Sequence, residues 1–235
     1  MATEIEIHQV QAQILKVLLF KPQAKFAELN VTKLTTDHFT FHVKQLVEAG
    51  MIIKGAKGLY QLTAKGKEFA NRFDTEKVAL EKQAKTAVLI VAVKEINNVT
   101  KFISQQRLKQ PFYGYRGFVG GKIRWGETVL ETAERELKEE TNLTGKLKFA
   151  GIEHKMDYSK TGEILEDKYF YIVKATNTKG KFIKEIEGGK NFWLSEKEIL
   201  TKEKVFEDIL KILKGVKTGK FFFLEKKYNY SAKQY

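Results

Sequence analysis

The chain is expected to fold as an α/β protein in two parts: a small α+β domain, then a larger α/β domain of strands and helices. Three observations predict this. The first 75 residues show helical periodicity with one short hairpin. TAVLIVAVKEI, beginning at Thr86, is a strongly apolar strand that opens a new core. A glycine-bearing loop then leads into an acidic helix whose start is signalled at Thr128. With 235 residues and 43% hydrophobic content, the chain can build two modest cores. The expected boundaries are 1–75 for the small domain, 76–85 for a linker and 86–235 for the larger domain.

In the first part, Val10, Ile14, Leu15 and Leu18 form one apolar stripe at helical spacing. KFAELN predicts a short second helix. TTDHFTFHVKQLVEAG predicts a third, with Phe39, Val43, Leu46 and Val47 apolar and Gly50 as its stop. MIIKGAKGLYQLT predicts two short strands around a Gly/Lys turn, and TAKGKEFANRF a closing helix. The connection TEKVALEKQAK is compatible with helix.

The second part predicts strands over 86–95 and 101–107, then a loop holding Pro111 and several glycines. The acidic helix follows over 128–141, with strands near 147–154 and 167–176. FWLSEKEI and the amphipathic VFEDILKILKG come next. In the tail, GVKTGKFFFLEKKYNYSAKQY, lysines alternate with aromatics. An edge strand guarded by lysine accounts for that pattern better than a nucleic-acid patch does.

The chemistry concentrates between Gly121 and Leu143, in GKIRWGETVLETAERELKEETNL. Residues three or four apart share a helix face, so Glu136, Glu139 and Glu140 form one patch of three carboxylates. Arg135 lies one turn before Glu139 and can pair with it. Like charges on one face repel, and a hard divalent cation with oxygen ligands is the natural compensation. The plain alternative is a solvated face on a Glu/Lys-rich helix. Local signals favour a loop feeding a helix. Gly120, Gly121 and Gly126 loosen the loop, Thr128 with Glu131 is a capping-box pattern, and Val129 or Leu130, Ala133 and Leu137 supply a buried stripe.

This segment resembles the signature of the Nudix hydrolase family: glycine, five residues, glutamate, seven residues, then Arg-Glu-apolar-x-Glu-Glu-x-Gly-apolar. Gly121, Glu127, Arg135, Glu136, Leu137, Glu139, Glu140 and Leu143 stand in register with it. Asn142 replaces the usual glycine, and Asn is the other residue that tolerates the left-handed backbone ending a helix. Val119 stands where proline is common. The resemblance covers about residues 85–215 and implies an α/β/α sandwich with a mixed sheet. It implies metal-dependent hydrolysis of a nucleoside diphosphate derivative by water attack on phosphorus, with Mg²⁺ or Mn²⁺ held by Glu136, Glu139, Glu140 and the Gly120 carbonyl. It further implies Glu136 as base, though the base varies among members, and Arg135 as the group orienting Glu139. Another acidic residue is expected before a Trp; in KEIEGGKNFWL the candidate is Glu187, with Glu185 as alternative. Tyr113, Tyr115 or Phe112 are candidates to stack on a base, or simply to pack.

The first part is similar to a winged helix-turn-helix domain over about residues 5–75, through the phrases LVEAGMI and YQLTAKGKEFA. That likeness implies a third helix in the major groove of duplex DNA, with Thr35, Thr36, His38, Thr40 and Lys44 as contacts. Lys54 and Lys57 on the wing would touch phosphate. The alternative is a winged helix used for protein contact, with a homodimer as the candidate assembly. His38 and His42 are four apart, but groove-facing or packed side chains describe them better than metal ligands. Nudix-related regulators that sense a nucleotide metabolite without turnover are the competing functional class. Such sensors tend to have lost the carboxylates that this segment keeps.

Composition limits the remaining classes. There is no cysteine, which excludes disulfides and thiolate zinc sites, and a cytoplasmic location is the plain expectation. No run of eighteen apolar residues suggests a membrane span, and MATEIEIHQVQAQ lacks signal-peptide character. Net charge is +13, made of +4 in residues 1–85 (13 basic, 9 acidic) and +9 in the rest (29 basic, 20 acidic). A basic chain favours polyanions, nucleic acid or nucleotide phosphates.

Overall fold

A computed structural model describes residues 7–74 and 76–235. The chain divides into two compact units, Met1–Lys82 and Gln83–Tyr235.

The first unit runs α1 (Gln9–Phe20), β1 (Ala24–Lys25), α2 (Phe26–Leu29), α3 (Thr36–Glu48), β2 (Ile52–Lys54), β3 (Leu59–Leu62), α4 (Ala64–Ala70), β4 (Phe73–Asp74) and β5 (Ala79–Leu80). β3 is the centre of a small antiparallel sheet in the order β1-β3-β2. The α1 stripe (Val10, Ile14, Leu15, Leu18) and Phe39, Val43 and Leu46 of α3 join one core with Leu29, Met51 and Ile52. Val47 does not. It is 40% exposed, because one step past Leu46 turns the helix by about 100°. Gly50 ends α3 region at φ +69, the left-handed conformation expected of it. The start of α1 is an unusual capping box. His8 Nδ1 accepts from the Val10 amide at 3.2 Å, and Gln11 Oε1 accepts from the His8 amide at 3.1 Å.

The connection after α4 is not helical. Asp74 Oδ1 accepts the amides of Glu76 (2.9 Å) and Lys77 (3.0 Å), closing a turn that β4 and β5 complete as a hairpin. A short acidic side chain that captures its own downstream amides competes directly with helix, and here it wins.

The second unit continues β6 (Lys85–Ile96), β7 (Val99–Arg107), β8 (Arg116–Gly117), β9 (Val119–Lys122), α5 (Val129–Thr141), β10 (Thr144–Ser159), β11 (Ile164–Lys179), β12 (Glu185–Ile186), β13 (Gly189–Ser195), α6 (Glu196–Leu200), α7 (Ile209–Thr218) and β14 (Phe222–Tyr230). The sheet order is β12-β13-β7-β6-β11-β10-β14, with β8 on β7 and β9 on β6. β6 with β11 and β10 with β14 are parallel, the other pairs antiparallel, so the sheet is mixed. β14 is the edge strand expected of the lysine–aromatic tail.

β6 shows why both faces are covered. Val88, Ile90 and Ala92 point into a core shared with Ala133 and Leu137 of α5. Val91, and Leu89 and Val93 beside it, belong to a second core with Ile199 of α6 and Ile209, Ile212, Leu213 and Val216 of α7. A period of two sends alternate residues to opposite layers, giving an α/β/α sandwich. The open choice at the start of α5 resolves to Val129, which packs on the core, while Leu130 is exposed.

The histidine pair at α1 gives a test. The His8 and His42 rings stack at 4.4 Å, and buried His42 Nδ1 has no partner among the described residues. Burial, with His8 and His38 adding to it, holds His42 below the ordinary histidine range. A base with a depressed folded pKa contributes full stability above its unfolded value, near 6.5, and loses it as pH falls below that value. Acidification from about pH 7.5 to about 5 should therefore lower the melting temperature, and His42→Leu should reduce that drop. In proton NMR titration, His42 should titrate below the ordinary histidine range.

Candidate active site

The acidic segment folds as a strand, a loop and a helix. β9 runs along β6 with Val88 opposite Gly121 and Leu89 opposite Gly120. Neither glycine has room for a side chain. A Cβ on Gly120 would lie 2.1 Å from the Val88 carbonyl oxygen, and one on Gly121 would lie 2.1 Å from the Glu136 carboxyl. The bare backbone at Gly121 is what lets the Glu136 carboxylate tuck against the strand, 8% exposed. Thr128 caps α5: its Oγ1 accepts from the Glu131 amide at 3.3 Å, and Glu131 Oε2 accepts from the Thr128 amide at 2.8 Å. Asn142 closes the helix at φ +57, ψ +23, the left-handed cap expected of it.

Arg135 is the hub. Its Nε donates to Glu127 Oε1 at 2.7 Å and its Nη2 to Glu127 Oε2 at 2.8 Å. Its Nη1 donates to Glu136 Oε1 at 2.5 Å and to Glu139 Oε2 at 3.2 Å, and Nη2 also reaches the Lys122 carbonyl at 3.2 Å. Glu127 further accepts from Thr132 Oγ1 (2.8 Å) and the Arg124 amide (3.1 Å). Hydrogen bonds from Arg135, then Thr132 and the Arg124 amide, pull the Glu127 carboxyl down to about 2. The same pair, with Glu136 and Glu139 adding to it, raises the Arg135 guanidinium above its ordinary value. Helical spacing pairs Arg135 with Glu139, and that contact exists. The principal partner, however, is Glu127, brought back by the loop, which spacing along a helix does not reveal.

Glu140 is placed by residues that sequence reasoning missed. Gln105 Nε2, on β7, donates to Glu140 Oε2 at 2.7 Å and to Asn191 Oδ1 at 3.1 Å. Asn191 Nδ2, on β13, donates to the Glu140 carbonyl at 2.7 Å and the Ile183 carbonyl at 3.1 Å. Nothing in the sequence marks either amide.

A cleft of about 730 Å³ is lined by Gly120, Gly121, Gln105, Glu136 and Glu140, and also by Arg107, Phe112, Lys155, Lys168 and Phe170. Glu139 does not line it; half exposed, it spans Arg135 and Arg124, the latter at 3.5 Å. Arginine thus holds part of the expected three-carboxylate patch. Among the described residues no group of three or more acidic or histidine side chains is gathered as a ready metal site. Glu187 is exposed in the turn between β12 and β13 and is not in the cleft lining, and Glu185 pairs with Lys190 at 3.0 Å. Tyr115 is 6% exposed, packed with Phe112, Tyr228 and Tyr230, so its ring face is unavailable to a base. Tyr113 is 54% exposed and lies outside the lining, whereas Phe112 lines the cleft. In the first unit, Thr35, Thr36, His38, Thr40 and Lys44 lie exposed on or beside α3, and Lys54 and Lys57 at the β2–β3 turn.

On the α7 side of β10, alternate residues Glu153, Lys155 and Asp157 are buried. Lys155 donates to Asp208 at 2.6 Å and Lys168 to Asp157 at 2.9 Å. Neither oxygen of Glu153 has a partner among the described residues. Burial, then the nearby Asp208, pushes the Glu153 carboxyl up to about 8. The signal was present in the sequence as charges at a spacing of two within a strand.

A NUDIX domain is matched over residues 84–214, more than half of the chain. Among solved structures, the chain is similar to the mMutator MutT protein from Bacillus halodurans. Identity is 23%, with 64% of this chain and 93% of that one covered, at a TM-score of 0.52. It is also similar to the NUDIX domain of Shewanella oneidensis NrtR complexed with ADP ribose. Identity is 18%, with 65% of this chain and 96% of that one covered, at a TM-score of 0.51.

Glu153 supplies a second test. An acid with a raised folded pKa contributes full stability below its unfolded value, near 4.3, and loses it as pH rises through the folded value, about 8. Glu153→Gln should therefore raise the melting temperature at alkaline pH and change it least in acid. Melts across that range, read by tryptophan fluorescence (both tryptophans lie in the second unit), would show whether the two curves diverge upward with pH.

Proposed function

Because the chain belongs to the NUDIX family through residues 84–214, and is a pyrophosphohydrolase by that membership, we propose that it cleaves the diphosphate of a nucleoside diphosphate derivative. The observation that carries this reading is the placement of Glu136, Glu140 and Gly120 in one cleft of nucleotide size, about 730 Å³. The donor set fits a hard divalent cation: carboxylates and a main-chain carbonyl, all oxygen. Glu136 uses only Oε1 on Arg135, leaving Oε2 for another partner. Mg²⁺ or Mn²⁺ would be held there by Glu136, Glu140 and the Gly120 carbonyl, and Glu139 would join them only on release from Arg124 and Arg135. Such an ion neutralises the diphosphate and lowers the pKa of bound water.

The chain's own residues do the rest. Water adds to phosphorus as the phosphoanhydride P–O bond breaks, and the water proton passes to a carboxylate, for which Glu136, with Oε2 outside the Arg135 contact, is the candidate. Arg135 orients Glu136 and Glu139, and is itself fixed by Glu127. Gln105 orients Glu140. ADP-ribose, the ligand named for the Shewanella domain, heads the panel of nucleotides to test.

A second role has its own observation. The order helix, helix, helix, hairpin, with the β1-β3-β2 sheet, supports a winged helix in the first unit. Its third helix buries Phe39, Val43 and Leu46 and leaves Thr36, His38, Thr40 and Lys44 outward, as a DNA-contacting face requires. The likeness is one of fold, so the DNA partner rests on the exposed face alone.

Glu136→Gln and Glu140→Gln should each reduce turnover by on the order of 10²–10⁴-fold with little change in melting temperature. Near-normal hydrolysis of every nucleotide in a Mg²⁺-supplemented panel by either variant would sink the assignment. The full chain should also shift duplex DNA at low salt, with affinity falling steeply as salt rises. Charge removal at Lys54 and Lys57 should weaken that binding across all sequences alike. Coupling of the two roles would appear as equal, reciprocal shifts in DNA and nucleotide affinity. Superimposable DNA titrations with and without saturating non-hydrolysable analogue would mean the units are merely joined.

A further inference from the structure

Among the described residues of the cleft lining, Arg107 is a half-buried cation with no carboxylate at salt-bridge distance. Arg107 ends β7 two residues after Gln105, so both side chains leave the same face of the strand, and both line the cleft. Its backbone is clamped: the amide donates to the Tyr115 carbonyl at 2.8 Å, and the carbonyl accepts from the Gly114 amide at 2.9 Å. Its Nε donates to the Pro111 carbonyl at 3.1 Å. That bond fixes the guanidinium plane and leaves the Nη1–Nη2 side without a carboxylate partner among the described residues.

The buried and half-buried lysines of the cleft lining are different. Lys155 has Asp208 at 2.6 Å and Lys168 has Asp157 at 2.9 Å, while the exposed Lys85 has Glu166 at 2.9 Å. Burial lowers the Arg107 guanidinium from its ordinary value, a mark of desolvation that Glu166 and Glu140 offset from a distance. A partly desolvated guanidinium without a partner is destabilising, and an incoming anion would relieve it. Lys109 also lines the cleft, again without a carboxylate partner among the described residues.

Position decides which anion. Two residues of strand set Arg107 about 7 Å beyond Gln105, the side chain that holds Glu140. Neither Glu136 nor Glu140 hydrogen-bonds Arg107, so its fork is free for a phosphate other than the one beside those carboxylates, within the same cleft. An arginine fork matches a phosphate better than a carbohydrate hydroxyl. Resting on the pyrophosphohydrolase reading, we infer that Arg107, with Lys109, binds a further phosphate of the substrate beyond the diphosphate that is cut. The substrate class is then a nucleoside or dinucleoside polyphosphate, rather than a nucleoside diphosphate joined to an uncharged sugar.

The test compares two probes on the full chain with Mg²⁺: diadenosine tetraphosphate, which carries extra phosphates, and ADP-ribose, which does not. Arg107→Gln should raise KM for the tetraphosphate about 10- to 100-fold, the range of a lost charge-assisted pair, with kcat little changed. KM for ADP-ribose should move by less than about 3-fold. Arg107→Lys, which keeps the charge but not the fork, should fall between, and carries the same comparison should the glutamine variant unfold. Equal KM shifts on both probes would reveal a merely structural arginine and overturn the inference. A second arm does not need turnover. Isothermal calorimetry of inorganic tripolyphosphate in EDTA should show about 10-fold weaker binding to Arg107→Gln than to the unmodified chain. Equal binding overturns the inference. A loss of binding in a protein that hydrolyses neither probe would instead uphold the anion site and reject the hydrolase reading.

Discussion

The bidentate pair between Arg135 and Glu127 is the interaction on which the acidic site depends. Glu127 sits in the loop before α5 and Arg135 two turns into it, so the pair ties the loop back onto the helix. The same guanidinium then reaches Glu136 and Glu139. One cation therefore offsets three carboxylates, two of which sit at helical spacing and would otherwise repel. Planarity makes this feasible. A guanidinium offers five donors in a fixed fork, enough for Glu127, Glu136, Glu139 and the Lys122 carbonyl at once. Lysine at 135 would keep the charge and lose the geometry.

A second constraint is steric. The strand carrying Gly120 and Gly121 passes so close to β6 and to Glu136 that a single methyl at either position would overlap backbone or carboxylate. Close approach brings the Gly120 main chain and the Glu136 carboxylate into the same cleft. The sheet supports this from behind. β6 sends alternate residues into the α5 core and the α6–α7 core, so the strand bearing the site's backbone contacts is gripped on both faces.

The cleft is electrostatically divided. Glu136 and Glu140 are set by Arg135 and Gln105, while Lys155, Lys168 and Arg107 line other parts of its wall. Acidic groups suit a cation and basic groups suit phosphates, and a nucleotide with its metal carries both. The ion pairs Lys155–Asp208 and Lys168–Asp157 are short and largely buried. Pairs of this kind fix positions more than they add stability, because desolvation offsets most of their attraction.

The sequence alone determined the two-part α/β organisation, the acidic helix with its Thr128 cap and Asn142 stop, and the edge strand of the tail. Each rests on neighbours in the chain: periodicity, a cap three residues away, a residue tolerant of positive φ. Only the tertiary structure decided what long-range contacts control. Among these are Glu127 as Arg135's main partner, Gln105 and Asn191 behind Glu140, and the burial of Tyr115 in an aromatic cluster. The exclusion of Glu139 and Glu187 from the cleft lining belongs here too, as does the hairpin that replaces a helical connection after Asp74. In the last case two amides captured by one carboxylate outweighed helix propensity. In the others the deciding partner lies from eight to more than a hundred residues away, beyond the reach of helical or strand periodicity. Only packing of the sheet against its helices brings such groups together.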